Sequence, residues 1–350
     1  MTNDWIPEFL TRAQLHGWIL LMTYAKITGT GSFVPEKVLT NADLSRMLGE
    51  DINDFVLQVV GIRERHICAE NESTADLATE AAKRALDTAS VLPEDLDLII
   101  LATDTPEYMS PATSVVVQHR LGARNAGTFD LNCACAGFVT ALDTASKFII
   151  ADDSYKKILV IGAYAMSKYL DWREKKTATI FADGAGAVVL EASQEGPGLL
   201  ASKLVADGSF HKHMGIYAGG TQMPITEDVL REGRWTKVRF AQKYPPEVNI
   251  EGWRAIVHDV LKKSDLKLSD VDLFLFTQVN LSTIKEVMRI MEVPMDRTHT
   301  IMEKWGYTGS ACIPMVLDDA VREGKLKRGQ VVVMCASGGG LNMACGAFRW

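Results

Sequence analysis

Four short runs along the chain are apolar at nearly every position: residues 98–102, 158–162, 273–276 and 331–334. Runs of this kind, without polar alternation, predict strands covered on both faces, as in parallel sheets with helices on either side. A fifth strand-like run, 127–131, leads through small residues into the helical pattern of Phe138-Val-Thr-Ala-Leu-Asp-Thr-Ala-Ser-Lys-Phe-Ile-Ile150. Helix starts are marked at Thr40-Asn-Ala-Asp43 and Ser73-Thr-Ala-Asp76, where a capping hydroxyl precedes an acidic first turn.

The pattern repeats. Asp95-Leu-Asp-Leu-Ile-Ile-Leu101 matches Asp270-Val-Asp-Leu-Phe-Leu-Phe276, an offset of 270 − 95 = 175. Cys135-Ala-Gly-Phe-Val-Thr-Ala-Leu-Asp143 matches Ser310-Ala-Cys-Ile-Pro-Met-Val-Leu-Asp318 at 310 − 135 = 175. Ala82, Ala85 and Leu86 match Val257, Val260 and Leu261 at the same spacing. A constant offset over helix, strand and helix predicts an internal duplication. The expected fold is an α/β, five-layer α-β-α-β-α pair of halves about a pseudo-twofold, with the helices after Cys135 and Ser310 near the axis. The expected divisions are an extension at 1–21, a first half at 22–195 and a second at 196–350. Residues 221–244 break the repeat and read as an insertion.

Composition narrows the classes. The 350 residues are 47% hydrophobic and 23% charged, with net charge −7. An acidic balance offers no global footprint for nucleic acid, and no apolar run approaches the roughly 20 residues that span a bilayer. Residues 18–22 form a short apolar run, with acidic residues upstream, that makes a poor signal peptide. Six cysteines stand at 68, 133, 135, 312, 335 and 345, mostly within apolar or small-residue runs. That usage predicts reduced thiols in a cytoplasmic protein. Cys133 and Cys135 lack the partner pair a zinc site needs, so no metal is expected.

Chemistry concentrates in Asp130-Leu-Asn-Cys-Ala-Cys-Ala-Gly-Phe138. Cys135 is placed where a helix begins, facing its unpaired N–H groups and the positive end of its dipole, and both favour the thiolate. Ala134, Ala136 and Gly137 leave room for a substrate. The same residues also fit a small cysteine packed among alanines.

Further motifs occur in a fixed order: Tyr24-Ala-Lys-Ile-Thr-Gly-Thr-Gly-Ser-Phe-Val-Pro35, Gly61-Ile-Arg-Glu-Arg-His66, Cys133-Ala-Cys-Ala-Gly-Phe138, Phe181-Ala-Asp-Gly-Ala-Gly-Ala187 and Ser337-Gly-Gly-Gly340. Over residues 22–350 the chain resembles β-ketoacyl-acyl-carrier-protein synthase III of the thiolase superfamily. The resemblance implies the duplicated thiolase fold, a homodimer, and Cys135 as a nucleophile that takes an acyl group from acyl-coenzyme A. A malonyl thioester on acyl carrier protein then loses carbon dioxide and condenses with that acyl group, and no cofactor takes part. It implies an oxyanion hole from the backbone N–H groups of Cys135 and Gly339, and substrate contacts at Phe181, Asn280, Ser110 and Phe55. Lys285 and Arg289, four apart on one helix face, become candidate docking sites for the acidic carrier.

The chain departs from the pattern where the second step is carried out. The family's His and Asn are Thr277, in Thr277-Gln-Val-Asn280, and Tyr307, in Gly306-Tyr307-Thr-Gly-Ser310. Thr277 and Tyr307 keep hydroxyl donors, expected to serve the decarboxylative step alone. The adenine-stacking Trp is Phe55, a basic phosphate contact is Val59, an Arg-Gly pair is Lys175-Lys176, and the aromatic closing the primer pocket is Ser110. His211, His213 and His299 remain without a role. Two rival functions follow from these losses: a cysteine acyltransferase that passes its acyl group on without decarboxylation, and a silent partner of an active paralogue.

Overall fold

The computed structural model describes residues 23–350, so the 1–21 extension lies outside the described residues. In chain order the main elements are β1 (Tyr24–Phe33), α1 (Thr74–Ala89), β2 (Leu98–Ala102), α2 (Thr113–Leu121), β3 (Gly127–Leu131), α3 (Gly137–Ala151), β4 (Lys157–Ala165), β5 (Asp183–Ser193) and β6 (Leu199–Ala206). They continue with α4 (Val248–Lys263), β7 (Leu273–Phe276), α5 (Leu281–Ile290), α6 (Cys312–Arg322), β8 (Val331–Gly338) and β9 (Asn342–Arg349).

One sheet has the order β1-β5-β4-β2-β3, the other β7-β8-β9-β6. In the first, β2 runs parallel to β3 and β4, while β5 is antiparallel to β4 and β1. In the second, β7 is parallel to β8, and β9 is antiparallel to β8 and β6. The two orders are the same arrangement twice. The pairs β1 and β6, β2 and β7, and α3 and α6 each start 175 residues apart (199 − 24, 273 − 98, 312 − 137). The counterpart of β3 is reduced to a single bridge between Phe274 and Thr298.

The apolar strands are buried on both faces. Helices α1 and α2 cover the outside of the first sheet, α4 and α5 the outside of the second, and α3 and α6 lie between the sheets. This is the five-layer α-β-α-β-α arrangement. Helix α1 packs closely because Ala75, Ala78, Ala81, Ala82 and Ala85 form its buried face. Both expected caps are formed: Thr40 with Asp43, and Ser73 with Asp76. The 18-residue stretch Ala134–Ala151 is apolar enough to cross a membrane by composition, but it is the central helix, mostly buried between the sheets. Since one sheet uses residues 24–193 and the other 199–349, we propose the boundary between the halves at 194–198.

Asp143 of α3 and Asp318 of α6 stand at matching places on the two central helices, and each is met by the other half. Asp318 of α6 accepts hydrogen bonds from Thr30 Oγ1 (2.8 Å) and Ser32 Oγ (2.5 Å) of β1. Asp143 of α3 accepts from Ser202 Oγ of β6 and from Lys147 Nζ (2.5 Å). Both carboxylates are 4% exposed, so their hydroxyl partners take the place of water. Asp318→Ala should leave Thr30 and Ser32 without an acceptor and cost about 3 kcal/mol, since hydrogen bonds to charged groups contribute roughly 1.5–3 kcal/mol each. Urea denaturation of the variant against wild type checks this.

Candidate active site

β3 ends at Leu131, and four residues carry the chain to Cys135. Asn132 Oδ1 accepts from the Ala134 N–H (3.0 Å) and holds Ala134 at φ +47°, a left-handed conformation costly for a residue with a Cβ. The Cys133 and Ala134 carbonyls then accept from the N–H groups of Ala136 (3.1 Å) and Gly137 (2.9 Å), which leads into α3. Cys135 therefore sits two residues before the helix rather than on it. Asp130 is structural: its carboxylate accepts from the N–H groups of Thr113 (2.6 Å) and Ser114 (2.7 Å) at the start of α2.

The second half reaches the same point through β8. A Cβ on Gly338 would stand 2.4 Å from the Cys133 carbonyl oxygen and 2.8 Å from Cys135 N, so only glycine permits this approach. Cys135, Phe181, Thr277, Tyr307, Ser337 and Gly339 line one pocket of about 230 Å³. Tyr307 is held by its N–H to the Ile180 carbonyl (3.0 Å) and by its carbonyl to the Ala182 N–H (2.8 Å). Its ring stacks on Phe181 at 5.5 Å. Gly306 beside it has φ +72°, and a Cβ there would strike Ala182 Cβ at 2.7 Å. Thr277 directly follows β7, where its Oγ1 accepts from the Ser337 N–H (2.9 Å) and keeps its own proton to donate.

The helix start favours a thiolate, but its surroundings outweigh it. Burial pushes the Cys135 thiol well above its ordinary range, and the nearby Asp104 charge pushes it further. A hydrogen bond from the Tyr307 hydroxyl acts the other way. Tyr307 thus meets the Cys135 sulfur itself, a contact that the expectation of a role in one later step did not include. Burial raises Tyr307 in turn, so it is a neutral donor.

Other expected contacts lie elsewhere in this chain. Asn280 does not line the pocket; its Oδ1 caps α5, accepting from the N–H groups of Ser282 (2.9 Å) and Thr283 (3.4 Å). Ser110 is exposed, and Phe55 is 58% exposed. Lys285 and Arg289 are exposed on α5, where Arg289 is paired with Glu286 at 2.7 Å. His299 Nε2 contacts Asp319 (2.8 Å) and its Nδ1 contacts Lys325 Nζ (2.8 Å), a buried cluster away from the pocket. His213 packs on Tyr244, and neither His211 nor His213 lines the pocket. Ser310, the repeat counterpart of Cys135, donates to the Ala163 carbonyl (2.7 Å) and is structural.

Among the lining residues that no motif revealed are two with polar side chains, Tyr244 and Asn249. Tyr244 closes the inserted segment, where Arg239–Phe240 pairs with Met214–Gly215 and brings Phe240 and Met214 to the same wall. Asn249, in the first turn of α4, adds a carboxamide to the pocket lining.

A duplicated five-layer fold with a buried cysteine at the head of a central helix, glycines of the other half against it, defines a thiolase-type acyltransferase site. Residues 129–208 match the family described as 3-oxoacyl-[acyl-carrier-protein (ACP)] synthase III, and residues 261–350 match its C-terminal part. The chain is 37% identical over 333 residues to the β-ketoacyl-[acyl-carrier-protein] synthase III of Caldanaerobacter subterraneus subsp. tengcongensis, covering 93% of this chain and 98% of that one. To the Syntrophomonas wolfei relative it is 38% identical over 328 residues, covering 93% and 97%. The crystal structure of 3-oxoacyl-[acyl-carrier-protein] synthase III from Aquifex aeolicus superposes with a TM-score of 0.84 at 35% identity, covering 93% of this chain and all of that one. The chain belongs to the β-ketoacyl-acyl-carrier-protein synthase III family.

A thiol pushed well above its ordinary range by burial should alkylate slowly near neutrality. Iodoacetamide labelling of Cys135 should still be rising at a pH where an ordinary thiol, near 8.5, has levelled off (~8.5). Tyr307→Phe should slow it about tenfold at fixed pH, the equivalent of one hydrogen bond of about 1.4 kcal/mol. Peptide mapping after timed labelling measures both.

Proposed function

We propose that Cys135 takes an acyl group from acyl-coenzyme A and that the acyl-enzyme condenses with a malonyl thioester on acyl carrier protein. The observation that carries this reading is the convergence of Cys135, Thr277, Tyr307 and Gly339 on one pocket. In the first step Sγ attacks the thioester carbonyl, the oxyanion lies against the N–H groups of Cys135 and Gly339, and the coenzyme A thiol leaves. In the second, the malonyl carboxylate departs as carbon dioxide. The enolate oxygen accepts from the Thr277 hydroxyl, with Tyr307 and Asn249 in reach of the same space, and the enolate carbon displaces Cys135 from the acyl group. A hydroxyl and a carboxamide supply donors where the family has an imidazole and a carboxamide; they stabilise charge but shuttle no proton near neutral pH.

The partners on this reading are acyl-coenzyme A, the carrier protein and a second copy of the chain, in the cytoplasm. Lys285, exposed and without an ion pair among the described residues, is the better carrier contact; Arg289 is already held by Glu286. Phe55 offers an exposed ring for a nucleobase, and Ser110, small and exposed, leaves space for a long acyl chain. That no imidazole among the described residues lines the pocket favours one competing reading, direct transfer of the acyl group to another nucleophile without decarboxylation.

Intact mass after incubation with a series of acyl-coenzyme A thioesters should rise by one acyl group, and Cys135→Ser should abolish the adduct. Thr277→Val should slow carbon dioxide release from malonyl carrier protein about tenfold or more, while loading of Cys135 changes by less than about threefold. Thr277→Ser should keep both. Loading without any carbon dioxide release would leave the direct transferase standing instead.

A further inference from the structure

Beyond Ala102 the chain crosses the end of the first sheet as Thr103-Asp104-Thr105. Both threonines are committed: the Thr103 N–H donates to the Leu131 carbonyl (3.1 Å), and Thr105 Oγ1 accepts from the Ala165 N–H (2.9 Å). These bonds fix Asp104 beside the turn that carries Cys135. Its nearest anchor is tight, since a Cβ on Gly137 would lie 3.1 Å from Ala102 Cβ. Asp104 Oδ1 is buried and has no hydrogen-bond partner, the one carboxylate oxygen among the described residues left so. A buried carboxylate oxygen without a donor is costly unless it has work with a proton or a ligand.

The loading step lacks a base. The Cys135 thiol is buried, no histidine among the described residues lines the pocket, and the Thr277 and Tyr307 hydroxyls can donate but do not take a proton near neutrality. We propose that Asp104 is the proton acceptor of the loading step, taking the Cys135 thiol proton directly or through one water and returning it to the departing coenzyme A sulfur. The inference rests on the acyltransferase reading above. The Sγ–carbon bond forms as the proton moves to the carboxylate. The thioester carbon–sulfur bond then breaks, its electron pair goes to the coenzyme A sulfur, and the proton follows. The carboxylate is restored, and nothing is oxidised or reduced.

The electrostatics agree with this geometry. Burial pushes the Asp104 carboxyl up to about 6, against a bond from its own N–H, a suitable value for a group that must accept and release a proton near neutral pH. The Asp104 charge acts on Cys135 of the nucleophile turn, Tyr164 of β4 and Tyr169 of the following turn. Cys135 faces Tyr307 and Cys312 from the second half, and Tyr164 also faces Asp183 of β5. The tyrosines and Cys312 are raised by burial and stay neutral, so they supply no competing base. With one proton shared, the pair carries one negative charge throughout. The charge that opposes the thiolate disappears as the thiolate forms.

Single-turnover loading of Cys135, followed by intact mass from about pH 5 to about pH 8, should rise in wild type through an inflection near 6. Asp104→Asn should load about 10²-fold more slowly or worse and lose the inflection. Iodoacetamide should alkylate its Cys135 faster at fixed pH, because the opposing charge is gone. Loading by Asp104→Asn at the wild-type rate or above means the carboxylate only repels the thiolate, and overturns the inference alone. Slower loading with slower alkylation means a disturbed nucleophile turn, and also overturns it. Wild type that loads no acyl group from any thioester overturns the acyltransferase reading and this inference with it. If Asp104→Asn does not fold, loading by Asp104→Ala should be restored by formate; no restoration overturns the inference.

Discussion

The structure depends on how two central helices are held between two sheets. Asp143 and Asp318 occupy equivalent places on α3 and α6, and each is bound by hydroxyls from the first strand of the opposite half. A carboxylate with 4% exposure cannot fall back on water, so the halves must dock with these hydroxyls opposed to these oxygens. Everything functional follows from that register. Cys135 leads into α3, while Thr277, Tyr307 and Gly338 come from the second half or its edge.

Duplication supplies the frame, and divergence supplies the chemistry. Cys135 and Ser310 stand at the same place in the two repeats, yet one sulfur faces a pocket and the other side chain closes on the Ala163 carbonyl. The difference lies in what the opposite half presents. Gly338 brings bare backbone against the Cys135 turn. At Ser310 it is Gly162 that gives way, where a Cβ would stand 2.3 Å from the serine carbonyl oxygen.

The Cys135 thiol is kept neutral at rest. Burial and Asp104 work against the thiolate, and the helix start and Tyr307 work for it. A thiol balanced in this way is protected from adventitious oxidation and becomes reactive when its proton has somewhere to go. The same tyrosine that packs on Phe181 also points its hydroxyl to the sulfur, so aromatic packing sets the polar geometry.

Much of the fold was legible along the chain. The apolar runs at 98–102 and 273–276 are β2 and β7 to the residue, and the 175-residue offset is the relation between the halves. Local burial and local capping write themselves into period and spacing, so Thr40 and Ser73 mark true helix starts. The Cys135 motif was equally plain, because a strand, small residues and a helix are adjacent in sequence. Asn280 was read as a substrate contact although Asn280-Leu-Ser-Thr is also a capping pattern, and it acts as the cap. What only the tertiary structure decided is which distant side chains meet the sulfur. Asp104, and Tyr244 with Asn249, come from two segments far from the Cys135 motif, and no periodicity links them to it; Tyr307 was named beforehand for a later step, but its hydrogen bond to the sulfur was not. Their protonation was likewise beyond the sequence, since burial sets it, and burial belongs to the packed whole rather than to any neighbouring residue.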